Sequence, residues 1–201
     1  MAHRFKLTHT MSSLPPVTRA LIIINVIMFL LQGMLGDVLI GSLALWPLGS
    51  QFMPWQIITY AFLHGSLMHL LFNMFGVYMF GADIERVLGP RRYLNYYLVS
   101  AISAGAAQLL VTKMTGGYYP TVGASGAVFG LLLAFAMVFP HRTIMPLFPP
   151  IPMKAPVFVA LYGGIELFLG VTGTQAGVAH FAHLGGMAGG FLLMRHWRGR
   201  R

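Results

Sequence analysis

Apolar stretches separated by short polar segments run along almost the whole of this 201-residue sequence. A helix that crosses the hydrocarbon core of a bilayer needs about 20 mostly apolar residues. Six stretches approach that length, and we number them as spans one to six: 18–36, 60–82, 93–112, 123–139, 156–171 and 177–194. Because only helices and closed barrels satisfy backbone polar groups in lipid, this pattern predicts an all-α integral membrane protein with six transmembrane helices.

Composition supports the membrane interpretation. Hydrophobic residues make up 57% of the chain and charged residues only 8%, whereas a soluble domain carries about 25% charged residues. The formal net charge is +9, but the basic residues are spread between apolar runs, so nucleic-acid binding is not predicted. The absence of cysteine excludes disulfides and thiolate metal sites.

The basic residues predict the orientation of the spans. Twelve of the 13 Lys and Arg residues fall on one side of a six-span arrangement, and only Lys113 falls on the other. Positive residues accumulate in cytoplasmic loops, so both termini are predicted to be cytoplasmic. The chain then divides into a short N-terminal segment at 1–17, a membrane domain at 18–195 and a basic tail at 196–201.

Two connections between spans are unusual. The first loop, residues 37–59, has no Lys or Arg and contains Trp46 and Trp55. Tryptophan favours the headgroup region, so this loop is predicted to lie in the membrane interface. The segment 145–156 is rich in proline and is predicted to be a stiff linker.

Polar residues within the spans are not scattered. Six of them lie in spans two, four and six, which run in the same direction, and each lies in the first half of its span or close to its middle: His64, His69, Asn73, Ser125, His180 and His183. Polar groups in hydrocarbon are costly and commonly functional. Their similar depth predicts one site below the external surface.

Glycine spacing predicts which spans meet at this site. Gly126 and Gly130 are four residues apart in span four, as are Gly186 and Gly190 in span six. Small residues at this spacing let helix backbones approach closely. Such contact would bring the hydroxyl of span four within reach of the imidazole of span six.

These groups are suited to acyl transfer. A serine hydroxyl needs a base to become a strong nucleophile, and neutral histidine is the usual base near pH 7. Ser125 lies in the first turn of its span, where backbone N–H groups lack intrahelical partners and the helix dipole favours negative charge. His69 and Asn73 share a helix face and can donate from the opposite wall. Glu166 lies in span five, but no spacing ties it to His183, so a two-residue Ser–His dyad is predicted.

Four segments carry a resemblance to a known family, the rhomboid intramembrane serine proteases. GASG at 123–126 resembles the nucleophile motif G-x-S-G, and AHLGGMAGG at 182–190 resembles A-H-x-x-G-x-x-x-G. HGSLMHLLFNM at 64–74 is similar to H-x-x-x-x-H-x-x-x-N, and GADIERVLG at 81–89 to the Glu–Arg segment that ends span two. The likeness covers roughly 40–195.

The resemblance implies a role for each matching residue. Ser125 would be the nucleophile and His183 the general base. The Ser125 amide, His69 and Asn73 would hold the oxyanion, and Gly123 would contribute to the same pocket. The other candidates are supporting residues with no direct part in the chemistry: His64, Phe129 and His180.

The resemblance also implies a substrate and a place of action. Single-pass membrane proteins would be cut in or near their transmembrane segments, with span five moving to admit them and the connection 171–177 capping the site. A small residue before the scissile bond would be preferred. No cofactor or metal is implied, and a bacterial inner membrane is expected.

Two positions depart from the family pattern. Trp55 is followed by Gln56 where many members have Arg, and Phe129 replaces a Tyr that many members place four residues after the nucleophile. A Phe ring at that position can still stack on His183.

Two other interpretations remain open from the sequence. Four imidazoles could bind zinc in a metal-handling membrane protein: His64, His69, His180 and His183. The chain could instead be a non-catalytic rhomboid-like protein that binds membrane helices.

Overall fold

A computed structural model describes residues 14–146, 149–173 and 179–199. The longer helices are α1 (Pro16–Leu35), α4 (Leu67–Gly76), α6 (Pro90–Thr115), α7 (Ser125–Val138), α8 (Ala155–Thr172) and α9 (His180–Arg198). Shorter elements are α2 (Asp37–Leu43), α3 (Gln56–Thr59), a 3₁₀ turn (Tyr60–Phe62), a π-helical turn (Val77–Gly81), α5 (Ala82–Leu88), β1 (Thr143–Ile144) and β2 (Met153–Lys154). Most of the predicted N-terminal segment and of the capping connection lies outside the described residues, as do positions 200–201.

The long helices confirm a helical membrane bundle. Among the described residues, four helices are long and apolar enough to cross a bilayer: α1, the continuous helix from α4 to α5, α6 and α8. The helix α7 is apolar but only 14 residues long. The helix α9 has 19 residues and is basic in its last turn, extending past the predicted end of span six.

Span two begins later than predicted. Its helix starts at Leu67, because the Ser66 hydroxyl accepts a hydrogen bond from the His69 amide (3.1 Å) and so caps the first turn. The residues before it form the 3₁₀ turn and an extended segment. His64 therefore lies in the loop above the helix and not within the span.

Close contact between α7 and α9 confirms the prediction from glycine spacing. A Cβ atom on Gly186 would overlap the backbone of Gly126, and one on Gly130 would lie 3.1 Å from the Gly186 carbonyl oxygen. On the other face of α9, a Cβ on Gly185 would lie 2.8 Å from the Ser103 carbonyl oxygen of α6. The small residues on two faces of α9 thus allow it to pack closely against both α6 and α7.

The first loop folds over the same end of the bundle. Leu45 and Thr121 exchange two backbone hydrogen bonds, of 2.9 and 3.0 Å, which join this loop to the segment that precedes α7. Gln56 is fully buried, and its side-chain oxygen accepts from the Trp46 amide (3.3 Å) and the Met53 amide (3.2 Å). The residue that departs from the family pattern therefore ties the loop together through neutral hydrogen bonds.

The opposite end of the bundle is joined by acidic side chains. Glu85 accepts hydrogen bonds from the amides of Val17 (2.9 Å) and Thr18 (2.7 Å), and from the Thr18 hydroxyl (2.7 Å). A carboxylate at this position satisfies unpaired N–H groups and complements the dipole of α1. Asp83 forms ion pairs with Arg86 and Arg142.

A short ribbon that the sequence did not predict joins the proline-rich linker to the residues just before it. Thr143–Ile144 and Met153–Lys154 pair as a short antiparallel ribbon, with Thr143 opposite Lys154 and Ile144 opposite Met153. The Ala155 amide donates to the Arg142 carbonyl (2.9 Å), which continues this pairing into the start of α8.

Candidate active site

Ser125 is the first residue of α7, and the backbone before it is sharply turned. Gly123 has φ +126°, a conformation that L side chains rarely adopt. The Gly123 amide donates to the Tyr60 carbonyl (3.0 Å), which fixes the turn against the 3₁₀ segment. Ser125 is therefore held where the free N–H groups of the helix begin.

The predicted partner of Ser125 is in place. His183 Nε2 lies 2.8 Å from Ser125 Oγ, although the two residues are 58 positions apart in the chain. His183 is buried, with 7% of its surface exposed, and lies in the first turn of α9. The pair has the geometry in which an imidazole accepts a proton from a hydroxyl.

Phe129 fixes the plane of the imidazole. Its ring stacks on His183 with centroids 4.4 Å apart and an interplanar angle of 7°. Phe129 follows Ser125 by one helical turn, so the nucleophile and the stacking ring lie on one face of α7. The stacking expected of the Phe at this position is confirmed.

The opposite wall of the site is formed by α4 and the turn before α7. A Cβ atom on Gly123 would lie 2.7 Å from His69 Nε2 and 3.8 Å from Ser125 Oγ, so the Gly123 backbone lies between these side chains. His69 Nδ1 accepts a long hydrogen bond from the Gly65 amide (3.4 Å). A neutral ring that accepts at Nδ1 carries its proton on Nε2, which here faces the site.

Asn73 lies one turn below His69. Its amide nitrogen donates to the His69 carbonyl (2.9 Å), which leaves a second N–H of the same group available. A cavity of about 470 Å³ is lined by both residues together with Gly123, Ser125 and His183. The structure thus brings together all five residues that were predicted as nucleophile, base and oxyanion donors.

His64 supports this wall without lining the cavity. Its ring packs edge-on against His69, with centroids 5.1 Å apart, and its backbone exchanges hydrogen bonds with the Gln32 side chain (2.9 and 3.2 Å). Burial, with a smaller electrostatic contribution from the neighbouring His69, lowers the pKa of His64 to about 4. His64 is therefore neutral near pH 7.

The structure adds an acid that the sequence did not place here. Glu166 Oε2 lies 2.7 Å from His180 Nδ1 and 2.8 Å from His183 Nδ1. The sequence showed no spacing that ties Glu166 to His183, yet the two side chains are in contact. Glu166 belongs to a different helix, and hydrophobic periodicity in one span carries no information on the rotation of its neighbour.

The histidines do not form the four-membered cluster considered for zinc. His64 and His69 contact each other, whereas His180 and His183 lie by α8. Within the described ranges, one group of three side chains has its potential ligand atoms within 4.8 Å of one another, and it consists of Glu166, His180 and His183. The contacts within it have hydrogen-bond lengths.

Comparison with known proteins gives one consistent result. A family model of the rhomboid domain matches residues 51–198. The chain is 29% identical over 197 residues to Rhomboid protease GlpG of Yersinia pestis (strain Pestoides F), covering 96% of this chain and 67% of that protein. It is 36% identical over 140 residues to RHOMBOID-like protein 4 of Arabidopsis thaliana, covering 69% of this chain and 33% of that protein.

Proposed function

Because this chain belongs to the rhomboid family, we propose that it cleaves membrane proteins within the bilayer with Ser125 as nucleophile and His183 as general base. Its relatives include proteins named as rhomboid proteases, and the chain is accordingly an intramembrane serine protease. The observation that carries the residue assignment is the 2.8 Å distance between His183 Nε2 and Ser125 Oγ at the floor of a cavity.

In the proposed reaction, Ser125 Oγ attacks the carbonyl carbon of the scissile peptide bond as its proton passes to His183 Nε2. The oxyanion that forms is held by the Ser125 amide, by Nε2–H of His69 and by the Asn73 side chain. His183 then returns the proton to the leaving amine, and water, activated in the same way, hydrolyses the acyl-enzyme.

The substrates we propose are single-pass membrane proteins that unwind at the cavity. The helix α8 packs against α9 and α7, and its outer face carries exposed Leu161, Ile165 and Phe168. Displacement of α8 would open the cavity to lipid. A substrate segment entering there could present an extended peptide bond to Ser125.

We further propose that both termini are cytoplasmic and that the membrane is a bacterial inner membrane. The chain has no cysteine, so single cysteines can map its orientation. An impermeant maleimide added to spheroplasts should label Lys113→Cys and not His196→Cys. Labelling of both before lysis, or of His196→Cys alone, would contradict the proposed orientation.

The decisive experiment on the catalytic residues uses purified protein in liposomes with a model single-pass substrate. Ser125→Ala and His183→Ala should each abolish cleavage while the protein is still expressed and folded. A fluorophosphonate should label the wild type and Ser42→Ala, which changes an exposed serine of α2, but not Ser125→Ala. Cleavage retained by either active-site variant would refute the assignment.

A further inference from the structure

Glu166 is a carboxylate held inside the bundle by two imidazoles. Its side chain is 12% exposed, and the side chains of His180 and His183 are 5% and 9% exposed. A single oxygen, Oε2, is the nearest atom to both Nδ1 atoms. The contact with His180 has the alignment of a hydrogen bond, whereas that with His183 has the distance without the full alignment.

This arrangement favours a proton on Nδ1 of both rings. An isolated carboxylate is costly to bury, so it requires donors. His180 Nδ1–H donates a hydrogen bond to it, and Nδ1 of His183 lies 2.8 Å from the same oxygen, where the negative charge favours an N–H. A neutral His183 that carries its proton on Nδ1 has a lone pair on Nε2. That lone pair points to Ser125 Oγ, and the two atoms are 2.8 Å apart. A histidine in this tautomer can act as a general base towards the hydroxyl.

We propose that Glu166 is a positioning residue that completes a Ser125–His183–Glu166 triad, with His180 holding the carboxylate in place; this inference rests on the function proposed above. When the Ser125 O–H bond breaks and an N–H bond forms on His183 Nε2, the imidazolium is stabilised by the negative charge of Glu166. Glu166 keeps its charge and takes no proton, as in other triads.

His180 acts on the carboxylate and not on the substrate. It does not line the cavity, and its Nδ1 hydrogen bond to Glu166 is 2.7 Å long. The side chain of Glu166 is flexible, so this second donor restricts it to the position beside His183. The other titratable groups that face the cluster are His69, across the cavity on α4, and the Ser125 hydroxyl on α7.

The test compares Glu166→Gln and Glu166→Asp with wild type, using Tyr162→Phe on the same helix as a control. Glu166→Gln should lower kcat by about 100-fold or more and leave KM within about twofold, because the base loses its orienting carboxylate while the nucleophile and the cavity are intact. Glu166→Asp keeps a carboxylate beside the imidazole and should recover most of the lost kcat, and Tyr162→Phe should match wild type.

If Glu166→Gln is unstable, the rate of fluorophosphonate labelling can be measured instead of cleavage. Only folded protein is labelled, so this rate reports on the active site and not on the amount of unfolded protein. That rate should fall with kcat, and an unchanged rate would overturn the proposal. No recovery of kcat in Glu166→Asp, with folding intact, would overturn it too. Loss of wild-type activity on addition of EDTA would assign the cluster to a metal ion and would also overturn it.

A double variant tests the part played by His180. His180→Ala should lower kcat less than Glu166→Gln, and the double variant should be no worse than Glu166→Gln alone, because His180 acts through the carboxylate. Additive losses would contradict that role. If wild-type cleavage does not depend on Ser125, the proposed function itself fails; if it does depend on Ser125 and Glu166→Gln equals wild type, only the triad is overturned.

Discussion

Gly186 of α9 faces the backbone of Gly126 in α7 with no space between them. A Cβ atom on Gly186 would lie 2.7 Å from the Gly126 carbonyl carbon and closer still to its oxygen. Since Gly126 directly follows the nucleophile and Gly186 lies three residues after the base, this contact sets the distance between the two reacting groups. The packing of two glycines is thus part of the active-site geometry.

The first prediction is that Gly186→Ala separates α7 from α9 and disables the site. The added methyl group meets backbone atoms, which cannot move aside as a side chain would. We expect a loss of stability of about 1–3 kcal/mol and at least a roughly tenfold loss of kcat, because small misplacements of reacting groups are costly. Thermal unfolding in detergent and cleavage assays check this. Gly164→Ala, whose Cβ would meet nothing within 4 Å, should behave as wild type.

Gly123→Ala should strongly reduce activity for a different reason. Gly123 has φ +126°, and its Cβ would lie 2.7 Å from the His69 ring. The substitution strains the turn that places the Ser125 amide and also displaces an oxyanion donor, so kcat should fall by about 100-fold. Cleavage and labelling should both be affected. Gly33→Ala, which has free space around it, is the control, and wild-type kcat in Gly123→Ala would refute the proposed oxyanion site.

The sequence was sufficient for the parts of the site that depend on position along one helix. The similar depth of Ser125 and His183 in their spans predicted that the two residues lie close together. The i, i+4 spacing predicted that Phe129 lies beside the base and that His69 and Asn73 share a helix face. Glycine spacing identified the close contact of α7 with α9. Each of these inferences needs only helical periodicity and the length of a span, both of which local sequence determines.

Rotation and register between helices could not be predicted in the same way. Glu166 reaches His180 and His183 only because α8 turns that face towards α9, and an apolar helix in lipid shows no periodicity that reveals its inner face. The boundary at Leu67 depends on the Ser66 cap, a local signal that the continuous apolar run obscured. The role of Gln56 depends on the folded first loop.

Removal of the stacked ring should weaken the base without removing it. Phe129 covers the face of His183 at 4.4 Å, and an aromatic pair of this kind contributes about 0.5–1.5 kcal/mol. Phe129→Leu should therefore lower kcat by roughly 2- to 10-fold with little change in stability. Phe129→Tyr preserves the ring and should stay near wild type. A larger loss in Phe129→Tyr than in Phe129→Leu would exclude stacking as the function of this residue.

Glu85 should stabilise the protein without contributing to catalysis. It accepts three hydrogen bonds from the first turn of α1, at the end of the bundle away from Ser125. Glu85→Gln removes the charge and weakens these bonds, so the free energy of unfolding should fall by about 1–3 kcal/mol. Unfolding measured by heat or denaturant checks this, and kcat of the folded fraction should be unchanged.

The neighbouring Arg86→Gln is the matched control for Glu85→Gln. Its side chain is 43% exposed and pairs with Asp83 at 3.1 Å, and exposed ion pairs contribute little to stability. We expect a change below about 0.5 kcal/mol. Equal effects of the two substitutions would show that the carboxylate at the start of α1 has no special importance.

The last prediction concerns His64 and stability in acid. His64 is 2% exposed, and burial lowers its pKa to about 4, below the value of about 6.5 for a histidine in an unfolded chain. Between these values the unfolded chain binds a proton that the folded protein does not, so stability is fully present above about pH 6.5 and falls as the pH drops towards 4. The loss should be on the order of 1–3 kcal/mol.

His64→Phe should reduce the dependence of folding stability on pH. The substitution preserves an aromatic ring against His69 and removes two ring nitrogens that have no hydrogen-bond partner among the described residues. The unfolding temperature of wild type, measured in detergent from pH 7.5 to 4.5, should fall more steeply than that of His64→Phe. His141→Gln changes an exposed histidine at the other end of α7 and should retain the wild-type slope. Identical slopes for wild type and His64→Phe would show that the acid sensitivity arises from another group.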